Sequence, residues 1–186
     1  ETIRFKGENL VIADFDESNE GTIFFATSAG IGRLTRNDKD NEQKETYPIS
    51  SIAAASQGLA DDRIQSILID RQGNFWYGTA NGLSRHDGEK WRSFLGGLSI
   101  SKVYEDTHGN IWVATKGTGI FKFDCITLRV LTGDLRVVTG DSRLRDSSIS
   151  AIVEDRLGQK WIGTYGGGLI TFDGKNWEML KRENGL

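Results

Sequence analysis

The chain is poor in proline, cysteine and histidine, and it has no strong charge of either sign. One cysteine among 186 residues, Cys125, excludes an internal disulfide framework and any cysteine-built metal site. The histidines are His86 and His108 only. No Ser/His/Asp or Cys/His set stands at matching positions, so no nucleophile with a base is visible. Apolar runs are short, and none is long enough to span a bilayer. With 23 basic and 26 acidic residues the net charge is −3. That balance gives no electrostatic reason to expect nucleic acid or an anionic membrane. The single proline contrasts with 23 glycines. Glycine-marked turns between short apolar segments suggest an all-β chain. A helical solenoid would need a 3.6-residue apolar period, and none is visible.

What the chain does contain is one phrase used four times. It reads "GTIFFATSAGIGRL" from Gly21, "GNFWYGTANGLSRHDGEKW" from Gly73, "GNIWVATKGTGIFKFD" from Gly109 and "GQKWIGTYGGGLITFDGKNW" from Gly158. The copies align on Phe24, Trp76, Trp112 and Trp161, which lie 52, 36 and 49 residues apart. A small residue follows two positions later (Ala26, Gly78, Ala114, Gly163), then Thr (Thr27, Thr79, Thr115, Thr164). Gly followed by Ile or Leu comes next, as in Gly30-Ile31 and Gly168-Leu169. Asp70, Asp106 and Asp155 stand three residues before their glycines, which is turn chemistry between two apolar runs. In copy one the same reading stretches the turn by two residues, from Asp16 to Gly21.

Each unit therefore reads as four short antiparallel strands. The first strands are Leu10–Ala13, Ile64–Ile69, Ile100–Tyr104 and Ile149–Val153. The aromatic opens the second, the later Gly the third, and Asp87-Gly88 or Asp173-Gly174 marks a hairpin into a fourth that starts at Trp91 or Trp177. Four strands in a unit of about 40–50 residues is the signature of a β-propeller blade. Such units recur because a lone blade cannot cover both its faces. The expected blades occupy about 9–50, 58–95, 98–140 and 146–182, with residues 1–6 as the outer strand of a preceding blade. Gly185-Leu186 repeats Gly58-Leu59, so the array is expected to continue beyond this chain, or to close as a homodimer of eight blades. Trp112 and Trp161 are expected between blades, each against a small residue of a neighbouring unit.

The units "DRLGQKWIGTYGGGLITFDG" and "DRQGNFWYGTANGLSRHDG" closely resemble the two-component regulator propeller repeat, whose pattern is Asp-x-x-Gly-x-Trp-x-Gly-Thr, then Gly-Gly-Leu and Phe-Asp. Copy one departs from it with Phe24 and Ala26. The resemblance implies a sensor propeller of bacterial hybrid two-component systems, lying in the periplasm or otherwise outside the cytoplasm, without enzymatic activity or cofactor, and similar to receptors for oligosaccharides. A protein-interaction scaffold is the alternative. Copy one also resembles the repeat of streptogramin lyases, but the two histidines fall on different parts of their blades.

Other patterns read as ordinary structure. The acidic stretches Asp16–Gly21 and Asp38–Glu42 lack the spacing of a calcium loop. The glycine runs near Thr118 and Gly167 are flanked by strands rather than by the helix that a phosphate cradle needs. The five tryptophans occupy repeat positions, and core packing is their expected role. If a ligand site exists, propeller geometry places it on the loops that vary while the strands repeat. The candidates are Asn81, Lys116, Thr118 and Tyr165 after the second strands, with Asp62 and Arg63 entering a first strand. The structural repeat residues are Phe24, Trp76, Trp112, Trp161, Gly73, Gly109 and Gly158.

Overall fold

The structure is a computed structural model. It describes residues 4–5, 8–9, 11–27, 30–34, 50–51, 58–123, 130–132, 148–166 and 168–180. The readings made above at Leu10, Asp38–Glu42, Cys125, Gly167 and Gly185-Leu186 lie outside these residues.

The regular structure is β throughout. Arg4–Phe5 (β1) pairs with Glu8–Asn9 (β2) in a two-stranded sheet of their own. Four four-stranded antiparallel sheets follow, each a simple meander. The first holds β3 (Ile12–Glu17), β4 (Ile23–Thr27), β5 (Gly30–Leu34) and β6 (Ser50–Ser51). The second holds β7 (Ile64–Ile69), β8 (Phe75–Thr79), β9 (Gly82–His86) and β10 (Trp91–Phe94). The third holds β11 (Ile100–Glu105), β12 (Ile111–Thr115), β13 (Ile120–Phe123) and β14 (Val130–Thr132). The fourth holds β15 (Ile149–Glu154), β16 (Lys160–Thr164), β17 (Gly168–Phe172) and β18 (Trp177–Leu180). These are β-propeller blades. The chain divides into two compact units, Glu1–Gly97 with the first two blades and Leu98–Leu186 with the last two.

The same turn is built four times. In blades two to four the Asp main-chain carbonyl accepts the Gly N–H, at 2.8 Å for Asp70 and Gly73, 2.9 Å for Asp106 and Gly109, and 3.0 Å for Asp155 and Gly158. These glycines sit at φ of 82°, 80° and 84°, a region that side chains disfavour. Copy one corrects the reading of a stretched turn. Ser18, not Asp16, closes it: Gly21 N–H donates to Ser18 O at 2.9 Å, and Thr22 N–H donates to Ser18 Oγ. The turn keeps its length, and the first strand is therefore Ile12–Glu17 rather than Leu10–Ala13. Asp16 has another use. Its Oδ2 accepts the N–H of Ile69 at 2.7 Å, while Asp14 Oδ2 accepts from Ser66 Oγ and the Ile67 N–H. Two carboxylates of blade one thus bind the first strand of blade two.

Each first strand carries a register shift just after its first residue, at Ile12/Asp14, Ile64/Ser66, Ile100/Lys102 and Ile149/Ala151. A bulge bends and twists a strand locally, and its fourfold repetition gives the blades one common twist. In the middle of each blade, paired residues of the second and third strands trade volume. The pairs are Phe25 with Gly32, Tyr77 with Ser84, Val113 with Phe121, and Ile162 with Ile170. Phe25 lies over Gly32 so closely that an added Cβ would fall within its ring. Gly32→Ala should therefore cost about 1–3 kcal/mol by overpacking, whereas Gly96→Ala, whose added Cβ would meet open space, should cost less. Paired denaturant melts measure the difference.

Two apolar faces are uncovered. In the first unit Phe15 is 71% exposed, although Ile67, Val103 and Ile152 at the same blade position are buried. In the second unit Val153 is 54% exposed, on the face of β15 that also carries Ala151.

Candidate functional site

The side chain that recurs most regularly has two jobs. Asp70 Oδ1 accepts the N–H groups of Gln72 and Asn74, and its Oδ2 accepts the indole N–H of Trp76 at 2.8 Å. Asp106 does the same for His108, Asn110 and Trp112, with the indole again at 2.8 Å. Asp155 holds Leu157, Gln159 and Trp161, the indole at 2.9 Å. The constant six-residue step from Asp to Trp carried that signal. Copy one has Phe24, which lacks an N–H to satisfy, and has Ser18 in place of the aspartate.

The expected pairing of each Trp with a small residue of the next unit is not what forms. In a strand, side chains two apart share a face, so Gly163 lies on the same face as Trp161. A Cβ added to Gly163 would meet Ser150 and Ala151 of its own blade. Trp112 is 5% exposed and packs on the next blade through Phe172, at 5.9 Å between ring centres. Trp161 is only half-buried.

The repeated threonines fix the loops. Thr27, Thr79, Thr115 and Thr164 donate their hydroxyls to the carbonyls of Gly30, Gly82, Gly119 and Gly168 at 2.7–2.8 Å. The bond spans two residues in the first two blades and three in the last two. The base of the loop is thus constant while its length and sequence vary. Further bonds tie these loops to the entry loops: Ala80 N–H to Arg63 O, Lys116 N–H to Ser99 O, and Tyr165 N–H to Ser148 O.

The sequence-expected candidates fall into two groups. In the first unit, Asp62, Arg63 and Asn81 stand together at one end of blade two. Arg63 is turned onto Asp61 through two charge-assisted bonds, Nε at 2.9 Å and Nη2 at 2.8 Å. Those bonds, with the Arg63 backbone N–H, lower the Asp61 carboxyl to about 2. In the second unit, Lys116 and Thr118 lie on blade three and Tyr165, 74% exposed, on blade four.

Sequence reading missed the opposite end of the second unit. There the Asp turns of blades three and four meet, and a cavity of about 530 Å³ opens among Trp112, Lys160, Phe172 and Trp177. Lys160 is 6% exposed. Its ammonium lies 3.1 Å from Glu154 Oε1, 3.1 Å from Gly158 O and 3.8 Å from Asp106 Oδ2. Glu154 in turn accepts the backbone N–H of Thr107 at 2.7 Å and its hydroxyl at 2.8 Å, joining the two blades. Burial opposes the charge of Asp106, but the bonds from Trp112 and Asn110 and the nearby Lys160 outweigh it, and its carboxyl stays below the ordinary value. Burial also opposes the charge of Glu154, and Thr107 and Lys160 hold it down.

Carboxyls lowered on folding stabilise the fold above the ordinary carboxylate range. That contribution is lost as pH falls through their folded values. Asp173, lowered to about 2 by the backbone N–H and side-chain amide of Asn176, marks the lower edge. Thermal melts should be flat down to about pH 5 and then fall steadily towards about pH 2.

Residues 58–81 and 95–117 match the two-component regulator propeller family. The chain carries the two-component regulator propeller repeat. No curated protein matches it. Among solved structures it is similar to the extracellular domain of a proposed hybrid two-component system of B. thetaiotaomicron, with 23% identity and a TM-score of 0.78 over 100% of this chain and 25% of that one. It is similar to PorZ, a surface component of the type-IX secretion system of Porphyromonas gingivalis, with 19% identity and a TM-score of 0.68 over 90% and 27%. Virginiamycin B lyase of Staphylococcus aureus follows at 11% identity and 0.69, over 99% and 60%. At these identities the likeness speaks for the fold. The chain spans about a quarter of the length of the first two. Among the described residues of this propeller chain, no helix is long and apolar enough to cross a membrane.

Proposed function

We propose that the chain is a ligand-sensing segment of an extracytoplasmic two-component receptor and that its ligand is an oligosaccharide. One observation carries this reading: the Thr–Gly bond holds loops of differing length and sequence on a constant blade, which is how a repeated scaffold presents a binding surface. The regulator propeller repeat and the extracellular neighbours support the setting. In this reading Asn81, Lys116, Thr118 and Tyr165 contact the ligand, with Asp62 and Arg63 beside Asn81, and no cofactor takes part. The uncovered faces at Phe15 and Val153 receive further blades, from a longer chain or from a second copy.

A second reading, a protein-interaction scaffold, is favoured by the same uncovered apolar faces, since exposed apolar patches mark association sites. A lyase-like enzyme has less support. His86 lies tilted against Trp91 at 4.7 Å between ring centres, and His108 lies in an Asp turn of the other unit. Binding of the purified chain to a glycan array tests the proposal. The expected result is a small set of related glycans whose binding weakens in a Lys116→Ala/Tyr165→Ala variant. An empty array, with capture of protein partners instead, would move the assignment to the scaffold.

A further inference from the structure

The cavity of about 530 Å³ has a counterpart at the same place in the repeat. In the first unit the space beside Phe24 and Phe75 is about 280 Å³. Ligand pockets generally run from about 300 to about 1,000 Å³, so only the larger of the two has room. One repeat position contributes to the difference. The residue before the repeated aromatic is Ile23, Phe75, Ile111 and, in blade four, Lys160. Phe75 stands edge-on against Phe24 at 4.8 Å between ring centres and fills the gap. Lys160 instead draws its thin chain onto Glu154 and sits 5.7 Å from the Trp112 ring centre. A buried lysine where the other blades carry apolar residues breaks the local rule, and such breaks gather at functional sites.

The walls have a definite chemistry. Phe172 and Trp177 are stacked at 4.3 Å. Among the charged groups of the lining, Lys122 and Lys160 are balanced by Asp106 and Asp173. The indole N–H of Trp177 is buried and has no acceptor among the described residues. An orphaned donor beside aromatic rings, in a lining without net charge, fits a ligand with one apolar face and a fringe of hydroxyls.

We infer that this cavity between blades three and four is a binding site for one neutral pyranose residue. It packs against the Phe172–Trp177 pair and accepts the Trp177 indole N–H. The sugar class rests on the proposed function; the site rests on the cavity and is separate from the loop candidates.

Titration of the ¹⁵N-labelled chain with maltose, cellobiose and glucuronic acid tests it, with the indole correlations assigned through single Trp→Phe variants. The expected result is a shift of the Trp177 and Trp112 indole signals with at least one neutral disaccharide. Trp177→Phe, which keeps a ring but loses the donor, should weaken that binding roughly fivefold or more. Glu89→Ala, at an exposed position of the first unit, should leave it unchanged. If a sugar moves only signals near Tyr165 and Lys116, the oligosaccharide reading stands and the cavity assignment is overturned. If no neutral sugar moves any signal, or glucuronic acid alone does, the neutral-pyranose site is overturned as well. The wild-type titration decides these outcomes even where a variant folds poorly.

Discussion

Trp112→Ala is expected to destabilise the chain by about 3–5 kcal/mol. The side chain is 5% exposed and belongs to the core of the second unit, with Ala114, Ile120, Ile149, Ile152, Ile162 and Ile170. Its removal opens a cavity between two blades and leaves Asp106 Oδ2 without its shortest bond. Trp161→Ala should cost clearly less, although Trp161 occupies the same repeat position and makes the same bond to Asp155. Its face of blade four is uncovered, so truncation removes fewer contacts. Urea melts of the two variants give the ratio, and equal losses would mean that the contact with the next blade contributes little.

The second large effect concerns a charge. Lys160→Ala should cost about 3–5 kcal/mol, the usual result of removing one partner of a buried ion pair. The side chains of Lys160, Glu154 and Asp106 are 7%, 1% and 1% exposed. Without the ammonium, two carboxylates remain close together in a site that water reaches poorly. Lys160→Met/Glu154→Gln, which removes both charges of the closer pair, should recover part of the loss. The recovery separates electrostatics from packing, since the double variant fills similar space. A Lys160→Ala variant that melts like the wild type would show that the lysine is not held by this pair.

These two positions show what the sequence disclosed. The fourfold phrase contained the blade: second strands that begin one residue before Trp76, Trp112 and Trp161, turns at Gly73, Gly109 and Gly158, and a fourth strand at Trp91 and Trp177 all follow from local spacing to within a residue. Copy one misled because the turn was sought at an aspartate. With Phe24 in place of Trp there is no indole to bind, and Ser18 closes the turn alone. The pairing of Trp with a small residue failed on parity, since positions two apart in one strand share a face. The parity was present in the sequence. The cavity was not legible in the same way. The change from Phe75 to Lys160 at one repeat position could have been noticed, but whether a lysine there fills or opens space depends on where Glu154, Phe172 and Trp177 stand. Those residues come from strands separated in sequence. The loop candidates are different again: spacing locates them, and nothing local says what they bind.

Hydrogen exchange at the five indole N–H groups tests the central claim, that each complete repeat is a blade locked by an aspartate–tryptophan bond. Trp76 and Trp112, buried and bonded to Asp70 and Asp106, should exchange most slowly, and Trp161, half-exposed on Asp155, faster. Asp106→Ala should release the Trp112 indole and leave that of Trp76 protected. Uniformly fast exchange at Trp76 and Trp112, or no change at Trp112 on loss of Asp106, would contradict the account.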